Sequence, residues 1–154
     1  MAEITVRPPE DRDFEAWSGL FRGYMAFYQV PENATTVATV WSWIHDPQHL
    51  MQALVAVDSE DRPVGLAHFH AMPRSLGGNT VCYLSDLFTD PERRGQGIGR
   101  RLIDTVIERC RAEGWANLRW LTQEFNYDGR RLYDSYARRS DFILYAVPVV
   151  PAGG

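Results

Sequence analysis

The densest chemical signal in the sequence is Asp90–Leu102, DPERRGQGIGRRL, with three glycines and four arginines in thirteen residues. Glycines at a helix start let backbone N–H groups converge on an anion, and the helix dipole favours negative charge there. Arg93, Arg94, Arg100 and Arg101 add cationic side chains, so the loop suits a pyrophosphate. A flexible turn with solvated arginines would have the same composition. Position separates the two readings: the loop sits between the strand-like run TVCYLSDLFT and a helical run with Leu102, Ile103, Val106, Ile107 and Cys110 on one face. A loose linker has no need of that place.

Other residues invite a chemical reading. Asp86 interrupts an apolar strand-like run, where an acid is costly unless it has a partner or a task. His68 and His70 share one strand face, and His45 and His49 lie close in sequence, but Pro47 interrupts the second pair and no Cys or acid completes a ligand spacing for the first. The sequence therefore predicts no metal site. Cys82 and Cys110 fall on apolar faces and read as packing residues, not nucleophiles or a disulfide framework, which makes a reducing cytoplasm the expected location.

The totals exclude several classes. All sixteen Lys+Arg positions are arginine, so a P-loop lysine and lysine Schiff-base chemistry are both ruled out. Gly95, Gly97 and Gly99 are spaced G-x-G-x-G, which fails the dinucleotide fingerprint. A net charge of −4 argues against binding nucleic acid through bulk positive charge. No apolar run is long enough to span a bilayer, and Met1–Val6 lacks the layout of a signal peptide. With 45% hydrophobic and 23% charged residues in 154, the chain has the composition of one globular domain.

The elements that would position these groups follow from periodicity. EITVRPP reads as a first strand, Asp11–Tyr28 as an aromatic-faced helix broken by Pro31, and Thr35–Ile44 as a shorter helix. LMQALVAVD, PVGLAHFHAM and TVCYLSDLFT read as three strands. After the glycine loop come a helix ended by Gly114, the strand ANLRWLT, a helix over Asp128–Arg139, and a last strand DFILYAVPV. The order is β-α-α-β-β-β-α-β-α-β, an α/β (α+β) mixed sheet with helices on both faces, forming a single domain over 1–150 with a tail at 151–154.

LFTDPERRGQGIGRRLI resembles the R/Q-x-x-G-x-G acetyl-CoA signature of the GNAT N-acetyltransferase family through Arg94, Gly97 and Gly99. WLTQEFNYDGRRLYDSYARRSDFILY is similar to the family's following strand, with an Asn after it and a Tyr seven residues on. YLSDLFTDPERRGQGIG is similar to the diamine and polyamine acetyltransferases and to the fungal histone and D-amino-acid group.

The resemblance implies the GNAT fold, acetyl-CoA as co-substrate, no metal, and direct transfer to a primary amine of a small molecule. A protein or peptide lysine or N-terminal acceptor, or a catalytically silent acyl-CoA-binding module, are its alternatives. Arg94, Gly95, Gln96, Gly97, Ile98, Gly99 and Arg100 would grip the pyrophosphate. Leu87, Phe88 and Thr89 would bond the pantetheine arm through their main chain, where a bulge splays the strand from its neighbour and the Phe88 amide serves as oxyanion donor. Asn126 would bond the cofactor arm. Tyr133 would be the general acid, since a phenol with a reference pKa of about 10 can protonate a leaving thiolate of about 8.5.

The polyamine enzymes carry two adjacent acids where this chain has Ser85 and Asp86, so Asp86 is the first base candidate and Glu124 the second. Tyr24, Tyr28, Glu32 and Asp86 would border a cationic amine through ring faces and charge. Relatives that dimerise through C-terminal strands make FILYAVPVV a possible homodimer interface.

Overall fold

The computed structural model describes residues 3–153. Of the expected tail, Gly154 lies outside the described residues, as do Met1 and Ala2. Five strands form one sheet in the order β1 (Thr5–Arg7), β2 (Gln52–Val57), β3 (Pro63–Arg74), β4 (Asn79–Thr89) and β5 (Leu118–Trp120). The first four pair antiparallel in sequence, and β5 joins β4 in parallel after a helical crossover. The helices are α1 (Phe14–Phe27), α2 (Ala34–His45), α3 (Ile98–Glu113) and α4 (Tyr127–Asp134).

Side-chain alternation along the strands sorts the core into two layers. Val55, Val57 and Leu66 face α1 and α2, where they pack with Trp17, Leu20, Phe21, Met25, Val37 and Val40. Gly65, one step along, faces the other way and meets Ile98 and Leu102 of α3. The α3 stripe Leu102, Ile103, Val106 and Cys110 is buried as its spacing requires.

The helix boundaries have local causes. Asp11–Asp13 forms a 3-10 turn before α1, pinned by the Arg7 guanidinium on the buried Asp13 carboxylate at 2.7 Å. α1 ends four residues before Pro31, because Gln29 turns left-handed at φ 58° and Val30 N–H reaches back to the Met25 carbonyl. Asn33 caps α2 by accepting from the N–H groups of Thr35 and Thr36. Gly114, at φ 73°, ends α3 as the sequence predicts.

Contacts divide the chain into two compact units at Leu121/Thr122. The first holds the sheet with α1, α2 and α3; the second holds α4 and the C-terminal segment. In the second unit two sequence expectations are corrected. α4 stops at Asp134 instead of Arg139, where the Ser135 and Tyr136 N–H groups bond three residues back and tighten the turn. DFILYAVPV forms no strand: the segment pairs with no neighbour among the described residues, and Pro148 and Pro151 remove ladder donors from it and its end. Phe142, Ile143, Leu144, Tyr145 and Val147 are exposed.

Candidate active site

The geometry of the first unit turns on one extra residue. Along β3 and β4, His68 stands opposite Asp86 while Phe69 stands opposite Leu84, so Ser85 is the bulged residue. The bulge flips the side-chain phase of β4. Cys82 points toward α3, where its thiol meets Cys110, whereas past the bulge Asp86 and Phe88 point toward α1. The Tyr24 hydroxyl donates to the Ser85 carbonyl at 3.4 Å and its ring meets Phe88 edge-on, tying α1 to the bulge.

The bulge also decides which backbone groups are free. Asp90 N–H donates to the Val64 carbonyl at 2.9 Å, and this sets the phase of the antiparallel ladder. Counting back by twos, Leu66–Phe88 and His68–Asp86 are the hydrogen-bonded pairs. Phe88 therefore turns its N–H toward β3, while Leu87 and Thr89 turn theirs to the opposite edge. On that edge the β5 ladder ends at Leu84–Trp120, so no strand among the described residues covers Leu87 or Thr89. The Phe88 amide, expected as the oxyanion donor, is thus turned into the sheet, and the amides at the free edge are those of Leu87 and Thr89. The Phe88 ring is buried against Tyr24 and Gly23, with the Arg94 guanidinium 5.9 Å from its centre.

Beside this edge lies the start of α3. Gly95 and Gly97 adopt left-handed φ values of 79° and 75°, and a Cβ on either would meet nothing within 4 Å. These glycines are required by the backbone, since the same conformation costs other residues about 1–2 kcal/mol. Arg101 N–H is the first to bond back along the helix, to the Gly97 carbonyl. The N–H groups of Ile98, Gly99 and Arg100 open the helix without a carbonyl four residues back. Uncovered amides on the β4 edge and at the α3 start fit a long anionic ligand with a polar, extended arm.

The four loop arginines divide their work. Arg93 bonds the Asp58 carboxylate at 3.1 Å, and Arg101 donates to the Ile4 carbonyl at 2.7 Å. Both are structural ties, not loop cations held ready for an anion. Burial opposes ionisation of Asp58, but hydrogen bonds from Arg62 N–H, Arg93 and Glu60 N–H outweigh it and hold the acid below its ordinary value.

On the α1 face, Asp86 lies beside Tyr83, whose phenol is pushed up by burial and then by the Asp86 charge. Tyr24 and Tyr28 meet edge-on at 5.0 Å near the bulge. Glu32 is 2.8 Å from Arg22 and exposed, so its charge is already matched. His68 is held at both ring nitrogens. Its Nε2 accepts from Trp17 and its Nδ1 contacts Asp86, leaving no lone pair for a metal. No group of three or more metal-ligating side chains occurs among the described residues. The sequence signal for His68 was its place inside a buried apolar strand, where both ring nitrogens need partners. Burial pushes the Cys82 thiol up to about 12 and raises Cys110 as well, so neither is poised as a nucleophile.

In the second unit, Asn126 caps α4 by accepting from Gly129 N–H at 3.2 Å, and it donates to the Thr122 hydroxyl. Gly129 is held to glycine there, since a Cβ would lie 2.5 Å from the Asn126 amide. Tyr133 is half-buried on α4, and the Glu124 side chain is exposed while its carbonyl accepts from Arg130.

Comparison with known proteins fits this arrangement. The chain is 29% identical to the D-amino-acid N-acetyltransferase HPA3 of Saccharomyces cerevisiae, over 92% of this chain and 89% of that one. It is 22% identical to the uncharacterized N-acetyltransferase YhfO of Bacillus subtilis, over 95% and 98%. Among solved structures, a ribosomal-protein-alanine N-acetyltransferase from Brucella melitensis shares the fold with a TM-score of 0.80 at 21% identity, covering 96% of this chain and all of that one. An aminoglycoside N-acetyltransferase in complex with CoA does so with a TM-score of 0.78 at 16% identity, over 97% of each chain. No helix among the described residues is long and apolar enough to cross a membrane. The acetyltransferase (GNAT) family model matches residues 17–136, from the aromatic helix through the bulged strand and glycine loop to α4, and the chain belongs to that family.

Proposed function

We propose that the protein transfers the acetyl group of acetyl-CoA directly to the primary amine of a small molecule, an amino acid, diamine or related compound. The observation that carries this reading is the uncovered β4 edge, at Leu87 and Thr89, ending beside the open amides of α3. The D-amino-acid N-acetyltransferase relative supports an amino-acid acceptor.

In this reading the α3 amides with Arg94 and Arg100 hold the pyrophosphate, and Leu87 and Thr89 bond the pantetheine arm along with Asn126. The acceptor nitrogen attacks the thioester carbon, forming N–C while C–S breaks. The Leu87 amide donates to the oxygen that gains charge, a contribution of about 10²–10³ in rate for such a donor. Asp86 receives the amine proton, with Glu124 as the second candidate, and Tyr133 gives its proton to the departing thiolate. Tyr24 and Tyr28 border the acceptor. No step calls on a metal.

The proposal places the protein in the cytoplasm, where two free buried thiols suit a reducing medium. It also makes the protein a homodimer through the exposed apolar side chains of 142–147, which light scattering tests: a monomer mass would contradict it. Parallel assays with D- and L-amino acids, diamines and N-terminal peptides test the acceptor class. Free amino acids or diamines should be acetylated, and a preference for peptides would contradict the small-molecule reading.

A further inference from the structure

Trp17, His68 and Asp86 form a hydrogen-bonded chain running from the core to the α1 face of the bulge. The indole N–H of Trp17 donates to His68 Nε2 at 3.0 Å, and His68 Nδ1 lies 2.8 Å from Asp86 Oδ2. An indole nitrogen can only donate, so Nε2 must present its lone pair and the ring proton resides on Nδ1. His68 therefore donates to Asp86 and can do nothing else. Trp17 and His68 are both 0% exposed, and Phe21 stands edge-on to the imidazole at 5.2 Å, so packing fixes the ring plane.

The outer end of the chain is different. The Asp86 side chain is 20% exposed, and its Oδ1 takes no hydrogen bond from the described residues. One carboxylate oxygen is thus clamped from inside while the other is presented outward. A relay would need an acceptor beyond the imidazole, and Trp17 closes that route, so the arrangement orients a carboxylate without conducting its proton inward.

We propose that His68 is the positioning residue for Asp86, with Trp17 setting its tautomer, and that this clamp aims Oδ1 at the acceptor amine. The inference rests on the reading of Asp86 as the group that receives the amine proton. A purely structural role for His68 predicts lost stability without a selective effect on the acceptor.

The test compares wild type with His68→Met, His68→Asn, Asp86→Asn and the His68→Met/Asp86→Asn pair, measuring acceptor kinetics and acetyl-CoA affinity by calorimetry. His68→Met should lower kcat/KM for the amine by roughly 10- to 100-fold, the scale of a lost hydrogen bond to a charged group, while acetyl-CoA affinity stays as in wild type. His68→Asn, whose amide can occupy the Nδ1 position, should recover most of that loss. The double variant should be no worse than Asp86→Asn alone.

Additive losses, or a loss of acetyl-CoA affinity matching the loss of activity, would overturn the clamp. If Asp86→Asn is impaired and His68→Met is not, the clamp fails and the Asp86 reading stands. Wild-type acceptor kinetics in Asp86→Asn would overturn both. Should His68→Met not fold, nitrogen-15 NMR of the wild-type imidazole decides: a protonated Nδ1 and bare Nε2 are expected, and the reverse tautomer contradicts the proposal.

Discussion

Gly65 on β3 lies directly under Ile98, the first residue of α3: a Cβ at Gly65 would stand 2.7 Å from the Ile98 Cγ2 methyl. The missing side chain lets the helix start settle onto the sheet, next to the Phe88 carbonyl, which a Cβ would approach to 3.3 Å. Gly65→Ala should therefore cost about 1–3 kcal/mol of stability through overpacking and weaken acetyl-CoA binding by displacing the α3 amides. Ile98→Ala in the same chain should relieve the clash, and chemical denaturation of the four proteins of this cycle checks it. Strictly additive costs would show that the two residues do not press on one another.

Gly97 differs, because nothing within 4 Å of a Cβ there would obstruct it. The cost of a substitution comes from its φ of 75° and from whatever ligand sits over the open amides. Gly97→Val should lower stability modestly and abolish acetyl-CoA binding in a folded protein. Calorimetry showing wild-type affinity would remove the loop from the binding site.

Arg93 should behave as a structural residue despite its place in the loop. Asp58 and Asp13 both have folded-state values depressed below the ordinary 3.8, so their contributions are present above about pH 4 and are lost as pH falls through the folded values. Arg93→Met should cost about 1–3 kcal/mol at neutral pH, with the gap from wild type shrinking in acid, and should leave acetyl-CoA affinity nearly unchanged. Unfolding curves at pH 7 and pH 3 check the sign; an equal gap at both would mean the Asp58 pair does not contribute.

Asp86 and Tyr133 should separate by pH and by substrate. Tyr133→Phe keeps the ring and should keep acetyl-CoA affinity, but lose roughly 10²–10⁴-fold in rate if it protonates the thiolate. Asp86→Asn should weaken amine recognition and regain activity at higher pH, where more acceptor is the free base. Full activity in Tyr133→Phe would reduce the phenol to packing. An unchanged amine profile in Asp86→Asn would pass the base to Glu124.

The parts of the fold legible in the sequence were those with a local signature. The α3 stripe, the Gly114 stop and the three long strands follow from period and turn chemistry alone. The glycine loop was legible because left-handed backbone and open amides call for glycine. What could not be read was pairing. The Ser85 bulge depends on which β3 residue faces which β4 residue, and it decides that Leu87 rather than Phe88 faces the free edge. The division of the arginines likewise depends on distant partners, Asp58 and Ile4. DFILYAVPV carries strand-like composition, yet a strand also needs an edge to pair with, which composition does not specify.

Acetyl transfer from acetyl-CoA to an amine is tested by following thiol release with and without amine and identifying the product by mass spectrometry. Thiol release should depend on added free amino acid or diamine, with one N-acetylated product per thiol. Tight acetyl-CoA binding with no amine-dependent release across the panel would contradict it and leave an acyl-CoA-binding module in its place.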